Sequence, residues 1–149
     1  MVQSARVGHD TIPDMTPALP TARTPNPLDA PPLRWGVLAP GRIAAAFVTA
    51  VSRYTRQRVK VVGSRSLDRA QAFATAHGIE RAVGSYAELV DDPAVDVVYI
   101  ASPHSEHAAQ ALLAIAAGKA VLVEKAFTRN AAEAQQVVAA ARAAGVLAM

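Results

Sequence analysis

A chain of 149 residues has room for one ordinary domain of about 100–150 residues and not for two. Its 52% hydrophobic and 18% charged residues can bury a core, which excludes a disordered polyampholyte, and 15 Lys+Arg against 12 Asp+Glu, scattered without a basic run, argue against a nucleic-acid partner. Zero cysteines exclude a disulfide scaffold, a thiolate metal site and a cysteine nucleophile. No apolar run reaches the roughly 18–20 residues of a membrane span, and residues 1–15 lack the apolar stretch of a secretory signal, so the expectation is a cytoplasmic protein with no membrane partner.

Seven of the ten prolines precede Trp35, among Thr, Ala, Asp and Arg. Such a stretch forms neither a helix nor a central strand, and residues 1–33 are expected to be a disordered extension to a domain over 34–149. From Arg34 onward short apolar runs alternate with alanine-rich segments. Arg34 to Leu38 reads as a strand, Arg42 to Ser52 as a helix and Arg58 to Val62 as a second strand. Leu67 to His77 is helical, with Ser66 as its N-cap and Gly78 as its stop, and His77 complements the dipole at its end. Arg81 to Val83 is a short third strand, followed by a brief helix that Ser85 and Glu88 box and that ends before Pro93. Val95 to Ile100 and Ala120 to Glu124 are the next strands, joined by a helix from about Glu106 to Ala117 that stops at Gly118. A last helix runs from Asn130, with Glu133 three residues on, to Gly145, and Val146 to Met149 looks like the start of a sixth strand. Strands alternating with helices predict an α/β fold with a doubly wound parallel sheet, covered on both faces.

In such a sheet ligands sit beyond the carboxyl ends of the strands, at the point where strand order reverses. The turn after the first strand, Ala39-Pro40-Gly41-Arg42-Ile43-Ala44, is a variant of the dinucleotide fingerprint G-x-G-x-x-G/A, with Ala39 in the first glycine position, Gly41 in the second and Ala44 in the third. Gly41 lets the backbone approach a pyrophosphate, and Arg42 and Ile43 open the helix whose N-terminus offers N–H donors and a positive dipole end. After the second strand, where an NAD-selective domain places Asp or Glu, the chain has Ser64 and Arg65, with Arg69 one helical turn on. These arginines suit a 2′-phosphate and hence NADP; the alternative is that they merely solvate the helix start. After the fourth strand, Pro103 leaves Ser102 and His104 at the sheet edge. His104 and His107 lack a convincing third ligand, so no metal is expected, and His107 is expected to be structural, packing against or bonding to the preceding loop. Lys125 follows an apolar strand, either as a functional group or as no more than an ion-pair partner of Glu124 or a solvated loop residue.

At these residues, RWGVLAPGRIAAAF, VVGSRSLDRAQAFA and the run from SYAELVDD to AFTRNAAEA, the chain resembles the N-terminal nucleotide-binding domain, of Rossmann type, of the glucose-fructose oxidoreductase / inositol dehydrogenase / rhizopine-catabolism (Gfo/Idh/MocA) family. The similarity covers Arg34 to Met149, and the paired arginines look most like the NADP-using sugar and dihydrodiol dehydrogenase branch. The resemblance implies oxidation of sugars, cyclitols or diols, or reduction of the corresponding carbonyls, by hydride transfer. The family's Glu-Lys-Pro motif is Glu124-Lys125-Ala126 here, the lysine retained and the proline not. By resemblance Lys125 polarises or orients the substrate hydroxyl, Ser102, Pro103 and His104 line the nicotinamide side, and Glu124 and Lys125 are counted with the cofactor-binding residues. The family's C-terminal α/β domain, which supports homo-oligomers and supplies substrate contacts, has no counterpart in this sequence. Two expectations follow: the chain is the cofactor half of such an oxidoreductase, or it is a non-enzymatic NADP-binding or interaction module.

On the first expectation the chain binds cofactor and turns over little substrate alone, because positioning the reacting carbon can be worth about 7–11 kcal/mol of barrier and needs a second wall. Incubation with NADP and a panel of aldoses, cyclitols and diols, following absorbance of the reduced cofactor, checks this. Robust turnover that disappears in Lys125→Ala would contradict it.

Overall fold

The computed structural model describes residues 24–149. Five strands and five helices alternate: β1 (Arg34–Leu38), α1 (Arg42–Tyr54), β2 (Arg58–Gly63), α2 (Leu67–His77), β3 (Arg81–Val83), α3 (Tyr86–Val90), β4 (Val97–Ile100), α4 (His107–Ala116), β5 (Ala120–Val123) and α5 (Ala131–Ala144). All strand pairs are parallel, in the order β3-β2-β1-β4-β5. The chain steps from β1 to β2 to β3 on one side and then crosses to β4 and β5 on the other, which puts the reversal of strand order between β1 and β4.

The strands are Val-rich because both faces of the sheet are covered. Successive side chains point to opposite faces. Leu38, Val61, Val98, Ile100 and Val121 therefore pack with Leu89, Ile115 and Val137 of α3, α4 and α5, while Val37, Val62 and Tyr99, joined by Val59 across a register shift between β1 and β2, pack with Val48, Ala70 and Ala74 of α1 and α2. Two glycines let α3 lie close to the sheet: a Cβ on Gly36 would stand 2.7 Å from Leu89 Cδ2, and one on Gly63 would stand 3.0 Å from Leu89 Cδ1. Leu89, fully buried, fills the slot they leave.

The caps expected of α2, α3 and α5 are present. Ser66, Ser85 and Asn130 accept from the N–H groups of Arg69, Glu88 and Glu133, and Gly78 and Gly145 close α2 and α5 with left-handed backbone. Boundaries differ where side chains intervene. The first helix runs on to Tyr54, ended by Thr55, whose hydroxyl donates to Val51 O at 2.6 Å. β4 starts at Val97 and not at Val95, because the Val95 N–H turns back to Asp92 O. β5 ends at Val123, and α4 starts at His107 after a 3₁₀ turn over His104–Glu106 that follows Pro103. The expected sixth strand is a single parallel bridge, Val121 to Ala148, flanked by backbone bonds from Val121 N–H to Leu147 O and from Val123 N–H to Met149 O.

Of the Pro-rich stretch, residues 1–23 lie outside the described residues. Nearer the domain, the Gln57 amide accepts from Leu33 N–H and Trp35 Nε1–H and donates to Pro31 O, tying the lead-in to β2. Among the described residues no helix is long and apolar enough to cross a membrane.

The two strands at the crossover are also fastened at their amino ends. Arg34 donates to Asp96 from its N–H, from Nε at 3.0 Å and from an Nη at 2.6 Å, a two-pronged pair joining the start of β1 to the residue before β4. Hydrogen bonding to Arg34 holds the Asp96 carboxyl below its ordinary range, against the opposing effect of partial burial. A lowered folded-state pKa means the pair's contribution is complete above the unfolded aspartate value and is lost as pH falls through the folded value. Asp96→Asn is expected to lower the melting temperature at neutral pH, with the difference from the native chain closing below about pH 4. Melting curves from pH 7 down to 2.5 check this; a gap that stays constant with pH would contradict it.

Candidate functional site

The carboxyl ends of β1, β2 and β4 open into a cleft of about 510 Å³. Backbone bonds carry the sheet's ladder past the strand ends and set its walls: Ala39 N–H donates to Gly63 O at 3.1 Å, Ser64 N–H to Val83 O at 3.2 Å and Ala101 N–H to Leu38 O at 3.3 Å.

The first wall is the turn Ala39-Pro40-Gly41. Ala39, in the fingerprint's first glycine position, has φ +62, a left-handed conformation that costs a residue with a Cβ about 1–2 kcal/mol. Gly41 is the reverse case. Its φ of −157 suits any residue, and a Cβ built there would meet no protein atom nearer than Ala39 O at 3.9 Å. The fold does not require glycine at this position; the space a side chain would take belongs to the cleft. Gly41 is also the N-cap of α1 and brings no side-chain cap, so the first N–H groups of that helix are left for a ligand. Ala44, fully buried, lets α1 pack close on the sheet. Arg42 and Ile43 open the helix on its exposed side, outside the cleft's lining.

The second wall carries the charge. Ser64 is buried and its Oγ accepts from Ser66 N–H, while Ser66 Oγ accepts from Arg69 N–H; these bonds fold the chain after β2 so that Arg65 and Arg69 both reach the cleft. Neither guanidinium forms an ion pair with any described residue, although four other basic side chains, Arg34, Lys60, Arg81 and Arg129, do.

The third wall is Ala101-Ser102-Pro103. Ser102 is 9% exposed, and its Oγ is buried with no hydrogen-bond partner among the described residues. A buried hydroxyl without a partner carries a desolvation cost of about 1–3 kcal/mol that a ligand's polar group can remove. His104 is exposed on the 3₁₀ turn, beside the cleft and not in its lining. His107 is fully buried and structural as expected: Nε2 lies 2.9 Å from Ser102 O in the preceding loop, and Nδ1 lies 2.8 Å from Ala126 O.

Glu124 and Lys125 follow β5, one strand further from the switch point, and do not line the cleft. Tyr99 OH donates to Glu124 Oε1, and the Lys125 backbone N–H donates to Oε2. Burial first, and the Glu124 carboxylate second, hold the Tyr99 phenol well above its ordinary pKa, so it stays a donor. The ion pair considered between Lys125 and Glu124 is not formed; Lys125 is exposed and its ammonium is unpaired among the described residues. The peptide between Lys125 and Ala126 is cis.

The structure thus brings Ala39, Gly41, Ser64, Arg65, Arg69, Ser102 and Pro103 to one cleft and leaves Arg42, Ile43, His104, Glu124 and Lys125 around it. Pro40, Ser66 and Ala101 join the lining as neighbours of residues already singled out. Tyr86 joins it with no sequence signal, because it enters from the start of α3 and only the packing of that helix on the sheet brings it there. Among the described residues no three His, Asp or Glu side chains gather into a cation site.

Comparison with known proteins agrees with this geometry. A family model for an oxidoreductase family with an NAD-binding Rossmann fold, Gfo/Idh/MocA, matches residues 33–149. Trans-1,2-dihydrobenzene-1,2-diol dehydrogenases of Sus scrofa and Mus musculus are 46% and 47% identical over 119 residues, 78% of this chain and 36% of theirs. The chain therefore spans about a third of the length of these relatives. Among solved structures, an NAD binding oxidoreductase from Klebsiella pneumoniae superposes with a TM-score of 0.76 at 36% identity, covering 80% of this chain and 34% of that one. A 3-ketoreductase from Actinomadura kijaniata in complex with NADP gives 0.75 at 35% identity, over 80% of this chain and 38% of that one. The chain belongs to the Gfo/Idh/MocA oxidoreductase family, and what it contains of that family is the NAD-binding Rossmann fold.

Proposed function

We propose that this domain binds NADP in preference to NAD and serves hydride transfer between that cofactor and a sugar, cyclitol or diol. The observation that carries the cofactor preference is the pair Arg65 and Arg69, both on the cleft, both without an ion-pair partner, at the end of β2 where NAD-selective domains place a carboxylate. The remaining walls fit a dinucleotide. The empty volume beside Gly41 accepts a pyrophosphate against the uncapped N-terminus of α1, and the unpartnered Ser102 Oγ offers a hydrogen bond on the far side of the cleft.

The cofactor supplies the hydride donor or acceptor when bound. Arg65 and Arg69 hold the 2′-phosphate by charge-assisted bonds. Gly41 and the first turn of α1 hold the pyrophosphate, and Ser102 and Pro103, with His104 beside them, lie along the nicotinamide side. Lys125, its carboxylate neighbour turned toward Tyr99, keeps its ammonium free to polarise or orient the substrate oxygen. Relatives named for a trans-1,2-diol and a neighbour named as a 3-ketoreductase support an alcohol–carbonyl pair as the reacting group.

Removal of one charge-assisted phosphate contact costs about 1.5–3 kcal/mol, or roughly tenfold or more in affinity. Arg65→Ala is expected to weaken NADPH binding by that factor and to leave NADH binding unchanged, read by titrating both cofactors. Equal affinities in the native chain would contradict the preference.

Gly41→Val tests the pyrophosphate position. Extended backbone and open space predict that the variant folds, with a melting temperature lowered by a few degrees, since exchanging a glycine N-cap for valine costs about 1 kcal/mol. Binding of either cofactor is expected to be abolished, and retained binding with intact far-UV dichroism would show that the turn is only a connection.

A further inference from the structure

We propose that His107 is a positioning residue of this site, its ring tying the turn after β4 to the loop after β5 and so setting Lys125 relative to the nicotinamide end of the cleft. The proposal rests on the cofactor reading above. His107 is fully buried at the first residue of α4, yet it does not behave as a space-filling core residue. Its two ring nitrogens face two backbone carbonyls from separate loops, Ser102 O at 2.9 Å and Ala126 O at 2.8 Å, five and nineteen residues away along the chain. Both partners are pure acceptors. Each contact is a hydrogen bond where the facing nitrogen carries a proton, so a neutral ring makes one and the imidazolium makes both, while no apolar side chain of that size makes either.

The two carbonyls belong to the residues that matter. Ser102 lines the cleft with its own Oγ, and Ala126 is the residue after Lys125. On the other side of Lys125, Glu124 is held by Tyr99 OH and by its bond from the Lys125 N–H. Lys125 is therefore an exposed side chain whose backbone neighbours are both anchored, Glu124 through β4 and Ala126 through α4. The loop lacks the proline that stiffens the family's Glu-Lys-Pro motif, and the His107 bond to Ala126 O is a side-chain restraint at that same residue.

The test separates the two halves of the cofactor. Adenosine 2′,5′-bisphosphate reaches only the Arg65 and Arg69 end, whereas NADPH also reaches the nicotinamide end. Titrations of the full chain with both ligands are compared for the native protein, His107→Phe, which keeps a ring and loses both ring nitrogens, and His107→Gln, whose amide restores an N–H donor. In His107→Phe, affinity for the bisphosphate is expected to stay native while that for NADPH falls roughly three- to tenfold for a lost contact, with a matching loss of the bound reduced nicotinamide's fluorescence change. His107→Gln is expected to recover part of both, and it carries the same comparison if the Phe variant does not fold. Equal weakening of the two ligands, or no change in their ratio, would overturn the positioning role while leaving the cofactor reading intact. Failure of the native chain to bind either ligand would overturn that reading, and this proposal with it.

Discussion

Parallel pairing of β1 with β2 on one side and β4 on the other is the constraint on which the rest of the molecule depends. Three parallel strands that end together present three loops at one edge, and reversal of the chain's direction of travel between β1 and β4 parts the flanking helices there. Backbone bonds from Ala39, Ser64 and Ala101 extend the ladder past the strands, so the loops begin in fixed positions. At the opposite edge Arg34 and Asp96 fasten the same two strands. The cleft is thus a consequence of topology, and its chemistry comes from the few residues that topology delivers to it.

Small residues in this fold serve two different ends. Gly36 and Gly63 are small because Leu89 occupies the volume their side chains would need, and burying such a leucine is worth about 1.5–3 kcal/mol to the fold. Gly41 is small with nothing of the protein beside it. Ala39 goes further, since it holds a left-handed backbone that glycine would hold without strain. Demands internal to the chain explain the first pair; none explains Gly41, which lines the cleft.

The charged and polar groups divide in the same way. Arg34, Arg81 and Arg129 are spent on carboxylates of the domain itself, and Lys119 on the carbonyls of Asp92 and Val95. Among the basic side chains that form no ion pair with a described residue, Arg65 and Arg69 stand on the cleft and Lys125 on the next loop. Tyr99 connects these regions: it stacks on Phe47 of α1, with ring centroids 3.8 Å apart, and its hydroxyl reaches the Glu124 carboxylate across the sheet edge. Glu124 accepts from this phenol, and the neighbouring Lys125 ammonium forms no ion pair among the described residues.

Much of this was legible in the residues. Periodicity of Val-rich runs, Ser66, Ser85 and Asn130 at helix starts and Gly78 and Gly145 at helix ends are local signals, because propensity and capping act within a few residues, and they determined the order and type of the five strands and five α-helices. Local signals also pointed to Gly41, Arg65, Arg69 and Ser102, which line the cleft, since a loop that follows a parallel strand lies at that edge of the sheet. What tertiary structure alone decided depends on contacts between residues far apart in the chain. The fastening of β1 to β4 at their amino ends comes from Asp96 meeting Arg34, 62 residues away. Tyr86 reaches the cleft through the packing of α3 under Gly36 and Gly63. The bonds of His107 to Ser102 and Ala126, and of Tyr99 to Glu124, form where α4 and β5 come to rest beside β4. No pattern along the chain encodes such pairings, because a hydrogen bond between distant residues is specified by where the packed elements bring its two ends.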